Sequence, residues 1–281
     1  MKKYFIVSDI HSFYTPFIIE LVDNERSGFD INNPNHILVV LGDVFDRGFE
    51  TIELYNFLMK IPKERRIMIR GNHEQLYIEL LSKEFPDGYD FSNGTVRTFC
   101  QIAGYDEKML DRKYWYVKSI VEGRKINVPQ MIQSTWLRIR SAVKQSEITE
   151  WIKSDEWVNY FELKDYICVH SWIPTQQRLV DNYYVEEIGY RDDWRNATQT
   201  EWNDATWGCP WSKAFSGWNK TGKTIVCGHW HTSDFFNHLG GKHKKHGVYD
   251  CPIFKSKKYK VIAIDACTVG SNKTNILVVE E

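Results

Sequence analysis

Four short stretches of this chain concentrate side chains that bind metals or move protons. They are Asp9-Ile10-His11, Asp43-Val44-Phe45-Asp46-Arg47, Asn72-His73-Glu74 and His229-Trp230-His231, with His170 standing alone. Imidazole, carboxylate and amide oxygen together suit Mn²⁺, Fe or Zn²⁺ better than Ca²⁺, and several histidines are unusual company for Mg²⁺. The centre of the set is Leu41-Gly42-Asp43-Val44-Phe45-Asp46-Arg47-Gly48. An apolar run ends there in a glycine turn that carries two carboxylates, an arginine and a second glycine. Such charges beside a core strand are costly unless opposite charge lies among them. A metal ion and a phosphate together would supply it.

Taken singly, each piece has a plain reading. Asp-x-His serves as a turn or helix cap, Asn72 as the cap of a following helix, and a lone histidine as a hydrogen-bonded core residue. Their placement argues otherwise. Apolar runs at 4–8, 36–41, 66–70, 166–169 and 224–227 read as strands. Each is followed at once by a member of the set: Asp9 and His11, Asp43, Asn72 and His73, His170, then His229 and His231. In sheet-layered α/β folds, ligands bind in the crevice beyond the carboxyl ends of the strands. Helical spacing covers 13–24, 50–60 (stopped by Pro62) and 72 to about 81, and two closing strands lie at 259–265 and 275–279.

Composition bounds the rest. The chain has 281 residues, enough for a substantial core, and its 42% apolar and 26% charged content is that of a globular protein. A net charge of −1 argues against blanket nucleic-acid binding. No stretch approaches membrane-spanning length, and Ser8-Asp9 breaks the short apolar run after Met1-Lys2-Lys3. None of the six cysteines forms a C-x-x-C pair, which fits a reducing, cytoplasmic setting. Mixed charged and aromatic residues at helical spacing mark 85–163 as a helical insertion on a single α/β (α+β) domain spanning 1–281. A tryptophan-rich stretch at about 190–220 reads as a loop region that packs a sheet flank, with a stacking wall for a nucleobase or peptide ring as the alternative. The basic segment 242–258 reads as a solvated loop, or less plainly as a device that steers anions.

The whole set resembles the calcineurin-like metallophosphoesterases. The forms Gly42-Asp43-x-x-Asp46-Arg47-Gly48 and Arg70-Gly71-Asn72-His73-Glu74 look like the branch containing the serine/threonine protein phosphatases, including bacterial and phage members. That resemblance implies two mixed sheets sandwiched and flanked by helices. It also implies two divalent metal ions, manganese first, with iron or zinc as alternatives. Asp9, His11 and His231 would hold one, Asn72, His170 and His229 the other, and Asp43 would bridge them. Two such ions activate a bridging water and hold phosphate oxygens for in-line attack. Arg47 would clamp the phosphate, with Asn72 and Arg70 as further substrate contacts; a structural role for Arg70 is the alternative. His73 would protonate the leaving oxygen, held as imidazolium by Asp46.

Ser12 departs from the branch's usual glycine, and Ser171-Trp172 from its usual pair of glycines. The Trp172 indole is therefore expected to narrow the groove beside the second metal. Asp265 resembles a late strand-end aspartate of the family with a structural part. The expected substrate is phosphorylated, a phosphoprotein monoester first and a dinucleoside polyphosphate or phosphodiester second. Retention of every ligand position, with His73 and Arg47, counts against a non-catalytic scaffold of the same fold.

Overall fold

A computed structural model describes residues 1–180, 184–240 and 251–281 of the chain. The strands are β1 (Lys3–Val7), β2 (His36–Val40), β3 (Arg66–Ile69), β4 (Trp157–Val158), β5 (Phe161–Glu162) and β6 (Tyr166–Cys168), then β7 (Thr175–Val180), β8 (Tyr184–Tyr190), β9 (Thr224–Cys227), β10 (Phe254–Ser256), β11 (Val261–Ala263) and β12 (Leu277–Glu280). One sheet has the order β12-β1-β2-β3-β4 and is parallel except for the antiparallel edge strand β12. A second has the order β10-β11-β9-β6-β5, with a parallel centre and antiparallel edges.

The two sheets pack face to face, and strand periodicity shows how. Alternate residues of a strand point to opposite faces, so a strand buried on both sides must be apolar throughout. Tyr4 and Ile6 of β1 and Ile37 and Val39 of β2 meet Cys168, Val226 and Ile262 of the second sheet. The intervening Phe5, Val7, Leu38 and Val40 face a helical layer. Ile167, Ile225, Cys227 and Ala263 point outward on the far side into a third cluster. The expected sandwich of two mixed sheets flanked by helices is what forms.

The first helical layer holds α1 (Tyr14–Val22), α2 (Thr51–Lys60), α3 (Asn72–Ser82), α4 (Gly88–Ser92), α5 (Thr95–Ala103), α6 (Arg112–Val121), α7 (Val128–Lys144) and α8 (Glu147–Lys153). Phe99, Trp136, Ile139 and Trp151 of this group share one cluster with Phe5 and Val40 of the sheet. The helical segment ends at Lys153, earlier than the expected 163, because Trp157–Val158 pairs with β3 and Phe161–Glu162 with β6. Two-residue strands are too short for periodicity to reveal.

The tryptophan-rich region is also helical rather than a loop, with α9 (Gln199–Thr206) and α10 (Pro210–Phe215). Its signals are local. Thr198 and Glu201 form a reciprocal capping box, and Pro210 opens α10. Polar composition hid them. Trp194, Trp202 and Trp172 are buried in the outer cluster of the second sheet, so Trp172 does not line the groove as expected. The remaining helices are α11 (Thr232–Leu239) and α12 (Thr268–Ser271). Strands β7 and β8, not expected from the residue pattern, pair antiparallel as a separate two-stranded sheet. Of the basic segment 242–258, residues up to 250 lie outside the described residues, and Phe254–Ser256 form β10. Among the described residues, no helix is long and apolar enough to cross a membrane.

Glu162 on β5 ties the second sheet to its cover. Arg195 Nε donates to its Oε1 at 2.5 Å and Lys223 Nζ to its Oε2 at 2.8 Å. Arg195 first, and Lys223 with it, hold its pKa at about 2 against the opposing effect of burial. A depressed carboxylate pKa contributes stability that is complete above the ordinary value of 4.5 and is lost as pH falls toward 2. Glu162→Gln should therefore lower unfolding free energy at pH 7 by about 1–2 kcal/mol, allowing for solvent screening of the half-exposed Arg195. Urea titrations at several pH values should show that gap closing between pH 4.5 and 2.

Candidate active site

The loops that leave β1, β2, β3, β6 and β9 meet at one end of the two sheets. The β1 and β2 ladders continue past their strands, with the Asp9 N–H donating to the Gly42 carbonyl at 3.3 Å and the His11 N–H to the Asp43 carbonyl at 3.0 Å. Asp9, His11, Asp43, Asp46, Arg47 and His229 all have positive φ, between 52° and 75°. Left-handed backbone in non-glycine residues is uncommon and clusters at functional sites. Ser12 (φ 58°) belongs to the same set, which accounts for the glycine usual at that position in the resembling family. Its buried hydroxyl is satisfied by Thr51 at 2.8 Å. Gly42 (φ 82°) is required twice over, since a Cβ there would come 2.7 Å from His170 Nδ1.

Asp9, His11, Asp43, Arg47, Asn72, His73, His229 and His231 line a single cavity of about 60 Å³, together with Asp265 and Cys267. His170 lies behind it, with Nε2 2.8 Å from Asn72 Oδ1 and 3.5 Å from Asp43 Oδ1. His11 Nε2 is 3.8 Å from Asp43 Oδ2. Asp43 thus stands between two groups of nitrogen and oxygen donors, one with His11 and His73, the other with His170 and His229. Every residue expected to hold a metal converges here. Arg70 does not. It shares strand parity with Arg66 and Met68, which turns it toward the helices, and its Nη1 donates to the Ile152 carbonyl at 3.4 Å. It lines a separate surface cavity with Gln75 and Asn203, so the expected phosphate contact gives way to the structural alternative.

Four imidazoles, those of His11, His73 and His170 buried and that of His229 partly so, divide by what their second nitrogen touches. His170 Nδ1 donates to the Leu41 carbonyl at 2.6 Å and His11 Nδ1 to the Phe45 carbonyl at 3.1 Å, while the His229 ring is bonded to the Trp207 carbonyl. A carbonyl on one nitrogen fixes the tautomer and leaves the other with a free lone pair. Burial, then the other cations nearby, lowers the pKa of both His11 and His229 well below the ordinary value. Neutral imidazole is the form a metal ligand needs.

His73 is different. Its Nδ1 donates to the Asp46 carboxylate at 2.8 Å, and its Nε2 is 3.2 Å from Arg47 Nη2. Burial alone would lower its pKa, but Asp43 and Asp46 raise it above the ordinary value. Asp43 and Asp9, against burial, raise the pKa of His170 too, so what sets His73 apart is its carboxylate partner, the arrangement of a proton carrier rather than a ligand. Arg47, donating to Nε2, occupies the position from which a proton would leave. A phosphate drawing Arg47 aside would free it.

The donor set also fits a cation on electrostatic grounds. Burial, with Asp43 second, raises the pKa of Glu74, and burial with Asp9 does the same to Asp265. Buried carboxylates crowded in this way are stabilised by positive charge among them. Three residues of the site escape sequence reasoning. Thr95 and Thr98 bond Asp46 from α5, inside the insertion, where only their spacing on one helix face could have pointed to them. Trp207 is the member of the tryptophan group that reaches the site, half-exposed with its ring 6.4 Å from that of His229 and its Nε1 donating to Gln75 Oε1.

Glu74, the last residue of the Asn-His-Glu stretch, joins two of the loops. Its carboxylate accepts from the backbone N–H groups of Gly71, Asp43 and Val44 at 2.8 to 3.0 Å. Glu74→Gln keeps the shape but turns one acceptor into a donor facing those N–H groups. The expected cost is about 2–4 kcal/mol, read as a lower urea midpoint with an unchanged slope.

Comparison with known proteins agrees with this geometry. Over 82 residues, 26% of this chain, the sequence is 40% identical to Shewanella-like protein phosphatase 1 of Plasmodium berghei (strain Anka). The chain spans only 23% of that relative's length. The fold is similar to that of a cold-active protein tyrosine phosphatase, with a TM-score of 0.52 at 15% identity, covering 100% of this chain and 74% of the other. A second structure, the cold-active protein-tyrosine phosphatase of a psychrophilic Shewanella, gives a TM-score of 0.52 at 14% identity over 100% of this chain and 76% of its own. The sequence profile of the calcineurin-like phosphoesterases matches residues 2–233, and the chain belongs to that family.

Proposed function

We propose that this protein is a metal-dependent hydrolase of phosphate monoesters, acting on phosphorylated protein side chains. One observation carries the reading. A single small cavity brings Asp43 and two groups of metal-capable donors together with a His73–Asp46 pair and the Arg47 guanidinium. Asp9, His11 and His231 would hold one divalent ion, Asn72, His170 and His229 a second, with Asp43 shared between them. Manganese suits this mixed nitrogen and oxygen set, and iron or zinc would also. Bound there, such ions supply Lewis-acid hold on phosphate oxygens and an activated water.

The chain's own residues do the rest. Arg47 pairs with the non-bridging oxygens of the phosphate, for which a guanidinium is geometrically matched. His73 delivers its proton to the leaving oxygen, and Asp46 stabilises the imidazolium and fixes the ring. Trp207 stands half-exposed beside His229, where a side chain on a larger substrate would approach. Similarity to a protein phosphatase, limited to 82 residues, supports the protein substrate. A second reading, a nucleotide or dinucleoside polyphosphate, is favoured by Trp207, whose exposed indole beside His229 offers a stacking surface. Six free cysteines support a cytoplasmic setting.

Hydrolysis with added Mn²⁺ should be compared on p-nitrophenyl phosphate, its bis-ester, phosphothreonine and phosphotyrosine peptides, and diadenosine tetraphosphate. Preference for a peptide supports the first reading, and preference for the tetraphosphate, lost in Trp207→Ala, replaces it with the second. Mn²⁺ should also raise the melting temperature of the wild type but not of Asp43→Asn. His73→Ala should keep that shift and lose roughly 10²–10⁴ in turnover. Bound metal with no turnover on any of these substrates would return the protein to a scaffold role.

A further inference from the structure

Arg47, proposed to hold the phosphate, and Asp46, which orients His73, sit on a turn that the sheets alone do not support. Asp46 (φ 75°) and Arg47 (φ 60°) are consecutive left-handed residues. Left-handed backbone is strained for residues with a Cβ, and a consecutive pair persists only where surrounding structure holds it. What holds it is one face of α5.

Thr98 Oγ1 accepts the Asp46 N–H at 3.0 Å and donates to Asp46 Oδ1 at 2.8 Å. Thr95 Oγ1 donates to Asp46 Oδ2 at 2.7 Å. Arg97 Nη1 donates to the Arg47 carbonyl at 2.6 Å, and Gln101 Nε2 to the Gly48 carbonyl at 3.0 Å. Arg97 is itself fixed, paired with Glu107 at 3.0 Å and lying 4.4 Å above the Phe49 ring. Residues 94, 95, 98 and 101 recur at helical spacing, so they share one face. At its start, Gly94 (φ 80°) lies so close to the Arg47 backbone that a Cβ would collide with it.

The consequence falls on His73. Among the described residues Asp46 Oδ2 is the acceptor for His73 Nδ1, and the direction of that carboxylate sets the direction of the ring. With a hydroxyl on each oxygen, the carboxylate has no freedom to rotate. Both threonines are fully buried, so water cannot replace their hydroxyls.

We propose that Thr95 and Thr98 are positioning residues for proton delivery, and that α5 is part of the catalytic apparatus rather than a peripheral helix of the insertion. They hold Asp46 so that His73 presents Nε2 to the leaving oxygen, while the same helix keeps the Arg47 backbone in place. This rests on the phosphoesterase reading of the site.

Valine matches threonine in shape and lacks the hydroxyl. Thr95→Val, Thr98→Val and Thr98→Ser should be compared with wild type on phenyl phosphate, a poor leaving group, and dinitrophenyl phosphate, a good one. Thr98→Val should lower kcat on phenyl phosphate by about 10–100-fold, part of the 10²–10⁴ a general acid supplies, with dinitrophenyl phosphate kept within about threefold. KM should hold on both esters, and Thr98→Ser should recover most of the loss. Thr95→Val, which keeps the Thr98 bond to the Asp46 N–H, should show the same leaving-group bias at smaller size.

Independently of activity, the metal-free protein should show a low-field proton resonance for His73 Nδ1–H, identified by its absence in His73→Gln. Both valine variants should move or broaden it. Equal losses on the two esters, or an unchanged resonance with unchanged rates, would overturn the proposal. A wild type that binds Mn²⁺ but hydrolyses neither ester would sink the phosphoesterase reading instead, leaving the resonance to judge the threonines.

Discussion

The structure depends on keeping a buried carboxylate, Asp43, at the junction of two sheets. It is 2% exposed, and Asp9, Asp265 and Glu74 are buried around it. An isolated charge in that position would be prohibitive, so N–H donors must face it and positive charge among the carboxylates is needed to offset it. The His73 N–H donates to Asp43 Oδ1 at 3.0 Å, and the Glu74 carboxylate accepts the N–H groups of the loop that carries Asp43. The left-handed turns at Asp9, His11, Asp43 and His229 are the backbone's response to the same demand. Strain there is tolerable because two apolar cores hold the strands rigidly behind it.

A second theme is the separation of roles among similar side chains by their outer partners. His11, His170 and His229 face main-chain carbonyls, whereas His73 faces a carboxylate. The chemistry of an imidazole at neutral pH is decided by that neighbour. Two of those partners are supplied or held by parts of the chain that look peripheral in sequence. The Trp207 carbonyl comes from the segment between α9 and α10, and the Asp46 support from α5. Insertion and tryptophan region therefore act on the site through the groups that orient its side chains.

The tryptophans illustrate how burial separates residues of one kind. Trp194 and Trp202 flank Tyr160 and fill the outer cluster of the second sheet, as the packing reading expected. Trp172 joins them and leaves the groove open, with the Ser171 hydroxyl bonded to the Gly208 carbonyl instead. Trp207, in the same sequence neighbourhood, stays half-exposed at the site. Composition could not separate these cases, because a side chain's exposure depends on which face of a short helix or turn it occupies.

Residue order alone specified the layered α/β class, the five strand ends and the residues that converge beyond them. It could do so because two-sided burial writes near-continuous apolar runs, and polar residues at their carboxyl ends have few other reasons to be there. Local signals such as the Thr198–Glu201 capping box were present but weak against a polar background. Only the tertiary structure decided that Arg70 turns away from the cavity, that residues 157–162 return to the sheets, and that α5 reaches Asp46 from 49 and 52 positions away. Those outcomes rest on long-range packing. A hydroxyl's partner across some fifty residues of chain leaves no periodicity to read, and it exists only once the helix has docked on the sheet.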